Sequence, residues 1–246
     1  MRPAVLTGLL LGIVLAGCVP KKPKTGETGR LFQCRRARGT ITLDGKLDEP
    51  SWDQAQYLDG FVVPGSHAKP KSVSAARFLW DDENLYFAMV MEDLDVYGAH
   101  KEHDSATWED DVAEVFLKPR DGAHYYYEIH VNPLNTTLDL LIPRRGSGTL
   151  GRFTPWESGM RSAVLIKGTL NNWRDRDKGW IVEAAIPLKA FAPDTPKPQL
   201  GDRWRFAVCR YDYSVYLDGH EKSSTARLAT ANFHRHEDYD YVEFAE

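Results

Sequence analysis

The sequence predicts an all-β protein, a single antiparallel β-sandwich with short helical turns. Short runs rich in β-branched and aromatic residues recur along the chain, each closed by turn residues. Helical signals are confined to two brief stretches, and strands do not alternate with helices as a parallel sheet would require. The 7 Trp, 11 Tyr and 10 Phe supply the rings that pleated surfaces favour. At 246 residues, with 42% hydrophobic and 27% charged, the chain can bury a sizeable core and is unlike a disordered sequence.

The predicted elements run as follows. Residues 31–35 open the folded part. Residues 72–80 and 85–91 flank Asp81-Asp82-Glu83-Asn84 and read as a hairpin. Residues 112–117 lead to Asp121-Gly122, a strong turn signal, and 125–131 answer as the next strand. Residues 138–142, 163–170, 181–186, 204–213 and 239–244 complete the strands, with helical turns at 50–55 and 188–191. No internal repeat and no heptad pattern is present.

The first residues read as an address. Arg2 precedes an apolar run from Ala4 to Ala16, interrupted by Gly8 and Gly12 and too short to span a bilayer, which takes roughly 20 residues. Such a run with small residues at its end describes an export signal. Its ending, Leu15-Ala16-Gly17-Cys18, resembles the lipobox of bacterial lipoproteins. That resemblance implies a signal peptide over 1–17, an acylated Cys18 as the new N-terminus, and a flexible tether through residue 30 with little to bury. Residues 31–246 are then the folded domain. Val19 is unlike the aspartate signal for inner-membrane retention. The expected location is the bacterial cell envelope, lipid-anchored, in the outer membrane if the host has one. An oxidising compartment permits a disulfide between Cys34 and Cys209, both in strand-like stretches; two separate buried thiols are the alternative.

Charge narrows the partners. Thirty-one Lys and Arg against 35 Asp and Glu leave a net charge of −4, with no basic excess for nucleic-acid phosphates. The acidic stretch 92–114 includes Asp93, Asp95, Asp110 and Asp111, candidates for Ca²⁺, although EF-hand spacing is lacking and a solvated acidic loop is the plainer reading. Glu114 and Glu128 lie on strands that a hairpin brings side by side. Two such carboxylates can serve as acid and nucleophile towards a sugar, or simply as hydrogen-bond acceptors. His234 and His236 have no further ligand at a zinc spacing, and no nucleophile elbow or phosphate loop occurs, so the prediction is not an enzyme. Trp108 stands among polar residues rather than within an apolar run. An exposed indole beside carboxylates and amides suits a sugar, whose C–H face stacks on the ring while polar groups take the hydroxyls.

In order along the chain, Ile41 to Trp52, Phe78-Leu-Trp-Asp-Asp-Glu-Asn-Leu-Tyr-Phe87, Trp108-Glu-Asp-Asp-Val-Ala-Glu-Val-Phe-Leu117, Tyr127 to Asn135, Trp180 to Leu188, and Gly201-Asp202 with Arg205 and Phe206 resemble carbohydrate-binding module family nine and its lipoprotein relatives. The resemblance implies a sandwich that binds the end of a sugar chain, often with structural Ca²⁺. It also implies a glycoside hydrolase partner, since such modules ride on those enzymes, and a role supporting carbohydrate catabolism. Carried over, the first clamping tryptophan is Trp108 and the glutamate is Glu114. The family's arginine and asparagine fall on His130 and Asn132. The second tryptophan has no counterpart, and Phe233 or His234 stands in its region. Two other readings remain at this point: an interaction scaffold with a degenerate sugar site, and an electron-transfer module holding non-covalent haem through Met89, Met91 or a histidine, since no Cys-Xaa-Xaa-Cys-His occurs.

Overall fold

A computed structural model describes residues 29–148, 152–153, 155–191 and 194–246. Residues 1–28, with the expected signal segment and Cys18, lie outside the described residues. Among the described residues eleven strands form: β1 (Leu31–Arg36), β2 (Ser74–Trp80), β3 (Asn84–Met91), β4 (Val112–Lys118), β5 (Tyr126–Val131), β6 (Thr137–Ile142), β7 (Arg161–Ile166), β8 (Trp180–Pro187), β9 (Arg203–Tyr213), β10 (His220–Ser224) and β11 (Asp240–Ala245). Their order is β6-β5-β4-β9-β11-β1-β2-β3-β8-β7, with β10 paired to β9. This path curls back on itself into two layers. Val115, Leu117, Ile129, Val131, Phe206 and Val208 from one half meet Phe78, Phe87, Met89, Val182 and Ile186 from the other in a shared core. Period-two alternation selects these residues, because successive side chains of a strand point to opposite faces. Met89 and Met91 are spent here on packing, at 0% and 1% exposure. No haem-facing surface is left to them.

Two features depart from the sequence reading. β1 runs parallel to both neighbours, β11 and β2, within an otherwise antiparallel sheet. A parallel pair needs a long crossover, and the connection from 37 to 73 supplies one. β10 reads His-Glu-Lys-Ser-Ser and has no apolar alternation to announce it. It exists through backbone pairing with β9, from His220↔Tyr213 to Ser224↔Cys209.

The two outer faces differ. On the β2-β3-β8 side the segment carrying helix α1 (Pro50–Gln54) covers the sheet, with Trp52 fully buried against Leu79, Tyr86 and Ala88. Glu183, also fully buried, accepts from the backbone N–H groups of Asp44 and Gly45 and from Trp52 Nε1 at 2.8–3.0 Å. On the β4-β5-β6-β9 side Phe116, Tyr126, Leu140, Phe233 and Tyr239 form a second apolar cluster around a hollow.

The expected disulfide does not form: Cys34 and Cys209 are both free thiols, buried in different clusters. Cys34 pairs with Phe244 on β11, and β11 pairs Glu243 with Arg203 on β9. Cys34 therefore sits near the start of β9, with Cys209 about 20 Å further along that strand. A disulfide needs Cα atoms within about 7 Å. Burial raises both thiol pKa values well above the ordinary range.

Candidate functional site

The hollow on the outer face of β4-β5-β6-β9 encloses about 480 Å³, and its lining includes Trp108, Glu114, Glu128, Tyr211, Phe233 and His234. Strand register assembles its floor. β4 and β5 pair Glu114 with His130 and Phe116 with Glu128, so alternate residues of both strands project outward together. Trp108 reaches the rim from a single 3₁₀ turn, Thr107–Glu109, immediately before β4. Phe233 and His234, in the segment between β10 and β11, add to its lining. Phe233 packs edge-on against Tyr211 at 5.3 Å, and His234 edge-on against Phe116 at 5.5 Å. Lys222, on β10, lies in the lining and over the Tyr211 ring. A larger hollow near Asp82, Arg161 and Lys197, of about 630 Å³, has no aromatic ring in its lining.

The floor is a buried polar triad. His130 Nε2 lies 2.9 Å from Glu128 Oε1 and 3.4 Å from Glu114 Oε1, while its Nδ1 meets Thr107 Oγ1 at 3.0 Å. Burial pushes Glu114 up to about 7, with His130 pulling it down and Glu128 pushing it further up. Burial lowers the His130 pKa, but the charges of Glu114 and Glu128 override it and the net shift is upward. Glu128 Oε2 is buried without a hydrogen-bond partner among the described residues; His234 Nδ1 is 3.6 Å away. A buried acceptor left open is costly, and a ligand hydroxyl at this position would satisfy it.

Of the residues singled out in the sequence, Trp108, Glu114, Phe233 and His234 line the hollow. His130 lies behind the two glutamates at 1% exposure and positions them. Asn132 is not in the lining. Its Nδ2 donates to His100 O and Asp110 Oδ2, and its Oδ1 accepts from the Leu134 and Thr136 N–H groups, which leaves it a turn-building residue. Sequence reasoning did not single out Tyr211 and Lys222. Tyr211 alternates outward on β9, whose pattern was visible, but Lys222 belongs to the unheralded β10.

The four acidic residues proposed for Ca²⁺ separate. Asp110 accepts from the Ala99 and His100 N–H groups, and Asp95 from Val215 N–H and the Ser214 hydroxyl. Both are loop-building acceptors. Asp93 also accepts from Asp95 N–H, and Asp111 from the Tyr97 and Tyr213 N–H groups, but these two gather with Asp212. Arg210 Nη2 lies 2.9 Å from Asp93 and 3.3 Å from Asp212. One guanidinium faces three buried carboxylates, and neither oxygen of Asp212 has a hydrogen-bond partner among the described residues. Burial raises Asp93 to about 6 against the pull of Arg210. This donor set fits a further cation.

Comparison with known proteins places the fold. A Caldicellulosiruptor kristjanssonii carbohydrate-binding module of family 9, solved with cellotriose, superposes with a TM-score of 0.61 at 16% identity, covering 88% of this chain and 94% of that one. The module from the same organism solved with glucose gives 0.58 at 16% identity, covering 86% and 95%. In sequence, endo-1,4-beta-xylanase A of Thermotoga neapolitana is 26% identical over 168 residues, 66% of this chain. The matched chain spans only 13% of that enzyme's length. The family described as "Carbohydrate family 9 binding domain-like" matches residues 43–234, and the chain belongs to that family.

Proposed function

We propose that the protein is a membrane-anchored, non-catalytic carbohydrate-binding lipoprotein whose ligand, the end of an oligo- or polysaccharide, occupies the hollow beside Trp108. The observation that carries this reading is the pairing of aromatic walls with an open buried acceptor, Glu128 Oε2, on one floor. Trp108 stacks on the sugar ring, Phe233 and His234 close the other side, and Glu114 and Glu128 accept hydroxyl donors. Cellotriose and glucose in the family 9 neighbours support a sugar of the glucan type. A binding role rather than hydrolysis is supported by the carboxylates: both turn onto one imidazole nitrogen, and with His130 their ligand atoms fall within 4.8 Å of one another. Glycosidases hold their two carboxylates on either side of the scissile bond.

Cys18 supplies the lipid anchor in this reading, and the segment to residue 30 holds the domain off the membrane of the cell envelope. The xylanase relative supports a glycoside hydrolase as working partner in carbohydrate catabolism. Ca²⁺ is assigned to Asp93, Asp111 and Asp212, where it would balance excess buried negative charge.

Titration calorimetry with cello- and xylo-oligosaccharides tests the sugar reading. Saturable binding is expected in the parent, with a loss of at least about 2 kcal/mol in Trp108→Ala, in the range of a stacking hot spot. Binding that survives Trp108→Ala and Glu128→Gln unchanged would place the sugar elsewhere. No binding to any glycan in a broad array would overturn the function.

A further inference from the structure

On the edge formed by β6, and sharing no residue with the Asp93 cluster, His103, Asp104 and Asp139 gather their ligand atoms within 4.8 Å of one another, and Glu157 stands against His103. His103 Nε2 lies 3.1 Å from Glu157 Oε2, 3.5 Å from Asp104 Oδ1 and 3.7 Å from Asp139 Oδ1. Its other nitrogen, Nδ1, sits 3.0 Å from the Thr137 carbonyl and 2.9 Å from that residue's hydroxyl. A carbonyl only accepts, so this contact places the Nδ1 proton and, in the neutral ring, leaves the Nε2 lone pair facing three carboxylates. None of the three can donate when ionised. Acceptor then faces acceptor, an arrangement that calls for a cation between them.

Asp139 provides an independent pointer. Its side chain is 3% exposed. Oδ2 accepts from Ser158 N–H at 2.7 Å, while Oδ1 is buried with no hydrogen-bond partner among the described residues and is the atom turned towards His103. The other groups stand more open, His103 at 45% and Glu157 at 64% side-chain exposure, so an ion has a route from solvent. Even a protonated His103 would leave three carboxylates against one positive charge.

We propose that His103, Asp104, Asp139 and Glu157 bind a divalent first-row transition-metal ion of the Zn²⁺ type. With bonds of about 2.0–2.1 Å, ligand atoms around a tetrahedral ion stand about 3.3 Å apart. The nitrogen-to-oxygen separations of 3.1–3.7 Å bracket that value. One imidazole with three carboxylates suits zinc rather than calcium, which prefers oxygen donors alone. The Nδ1 contact with the Thr137 carbonyl is the orienting bond that metal-bound imidazoles make. An ion here fastens the loop at 103–104, which stands just before Trp108 in the sequence, to β6 and to the segment at 157–158. The site is independent of the sugar-binding reading.

Equilibrium dialysis of the untagged chain against Zn²⁺ at pH 7.5, in excess Ca²⁺ to saturate the Asp93 cluster, tests it. One Zn²⁺ per chain is expected, with Zn²⁺ raising Tm. His103→Ala should weaken binding about 100-fold or more, since losing a ligand costs at least what losing an orienting partner does. Glu157→Gln, at an exposed side chain that the fold does not need, should weaken it at least about tenfold and remove most of the Tm rise. A parent that holds no Zn²⁺ would overturn the proposal. So would zinc binding that is undiminished in both variants, which would make the cluster an ion pair between His103 and its carboxylates only.

Discussion

Replacing Glu114 by glutamine should reverse sign in its effect on stability between pH 5 and pH 8. Glu114 is 2% exposed, and burial moves its pKa from an ordinary 4.5 up to about 7. The folded chain then binds more protons than the unfolded chain across that interval. Unfolding free energy therefore falls as pH rises from about 4.5 to about 7. At about 1.4 kcal/mol per pH unit, the group costs the parent about 3 kcal/mol by pH 8. His130 acts in the same direction: its raised pKa contributes stability that is present below 6.5 and lost as pH climbs through the folded value. Glutamine is nearly isosteric with the protonated acid but cannot ionise. At pH 5 the variant should lie within about 1 kcal/mol of the parent or slightly below it, having exchanged one neutral hydrogen-bonding group for another. By pH 8 it should have gained about 2–3 kcal/mol on the parent, a Tm advantage of about 4–12 °C for a domain of this size. Urea unfolding of both proteins at pH 5, 6, 7 and 8 measures the difference directly. A difference that stays constant over the four pH values would mean that Glu114 ionises normally in the folded chain, and the account of the buried triad would fail.

Three further outcomes are expected. Glu183→Ala should lower stability by about 3–5 kcal/mol in denaturant titration, because three buried donors at 2.8–3.0 Å lose their acceptor at once; a loss below about 1 kcal/mol would show that the 44–52 segment is not held through this carboxylate. Reductant should leave Tm unchanged, and Cys34 and Cys209 should react with a thiol reagent only after unfolding, whereas a reductant-sensitive Tm would restore the disulfide. Chelation of Ca²⁺ should lower Tm in the parent and have no effect in Asp212→Asn; a parent that is indifferent to chelator would remove calcium from the Asp93 cluster.

Local pattern in the sequence determined most of this protein's elements. Alternation and turn residues mark β2 with β3, β4 with β5, and the long β9, because side-chain direction along a strand depends only on neighbouring residues. The same local reasoning set Trp108 apart, as an indole among polar residues ahead of a strand. Tertiary structure decided what depends on pairing between distant segments. β10 carries no apolar signal and forms through its bonds to β9. Cys34 and Cys209 read as potential partners until strand order set them far apart. Asp93, Asp95, Asp110 and Asp111 look like one cluster in sequence, yet Asp95 and Asp110 turn to separate loop donors, and Asp212 joins Asp93 and Asp111 from β9. Glu128 and His130 meet Glu114 through the β4–β5 register, and His103 meets Glu157 through a loop crossing no spacing rule describes. A strand's alternation says which side chains share its faces. Which strand lies alongside, and therefore which charges meet, follows only from burial of the whole core.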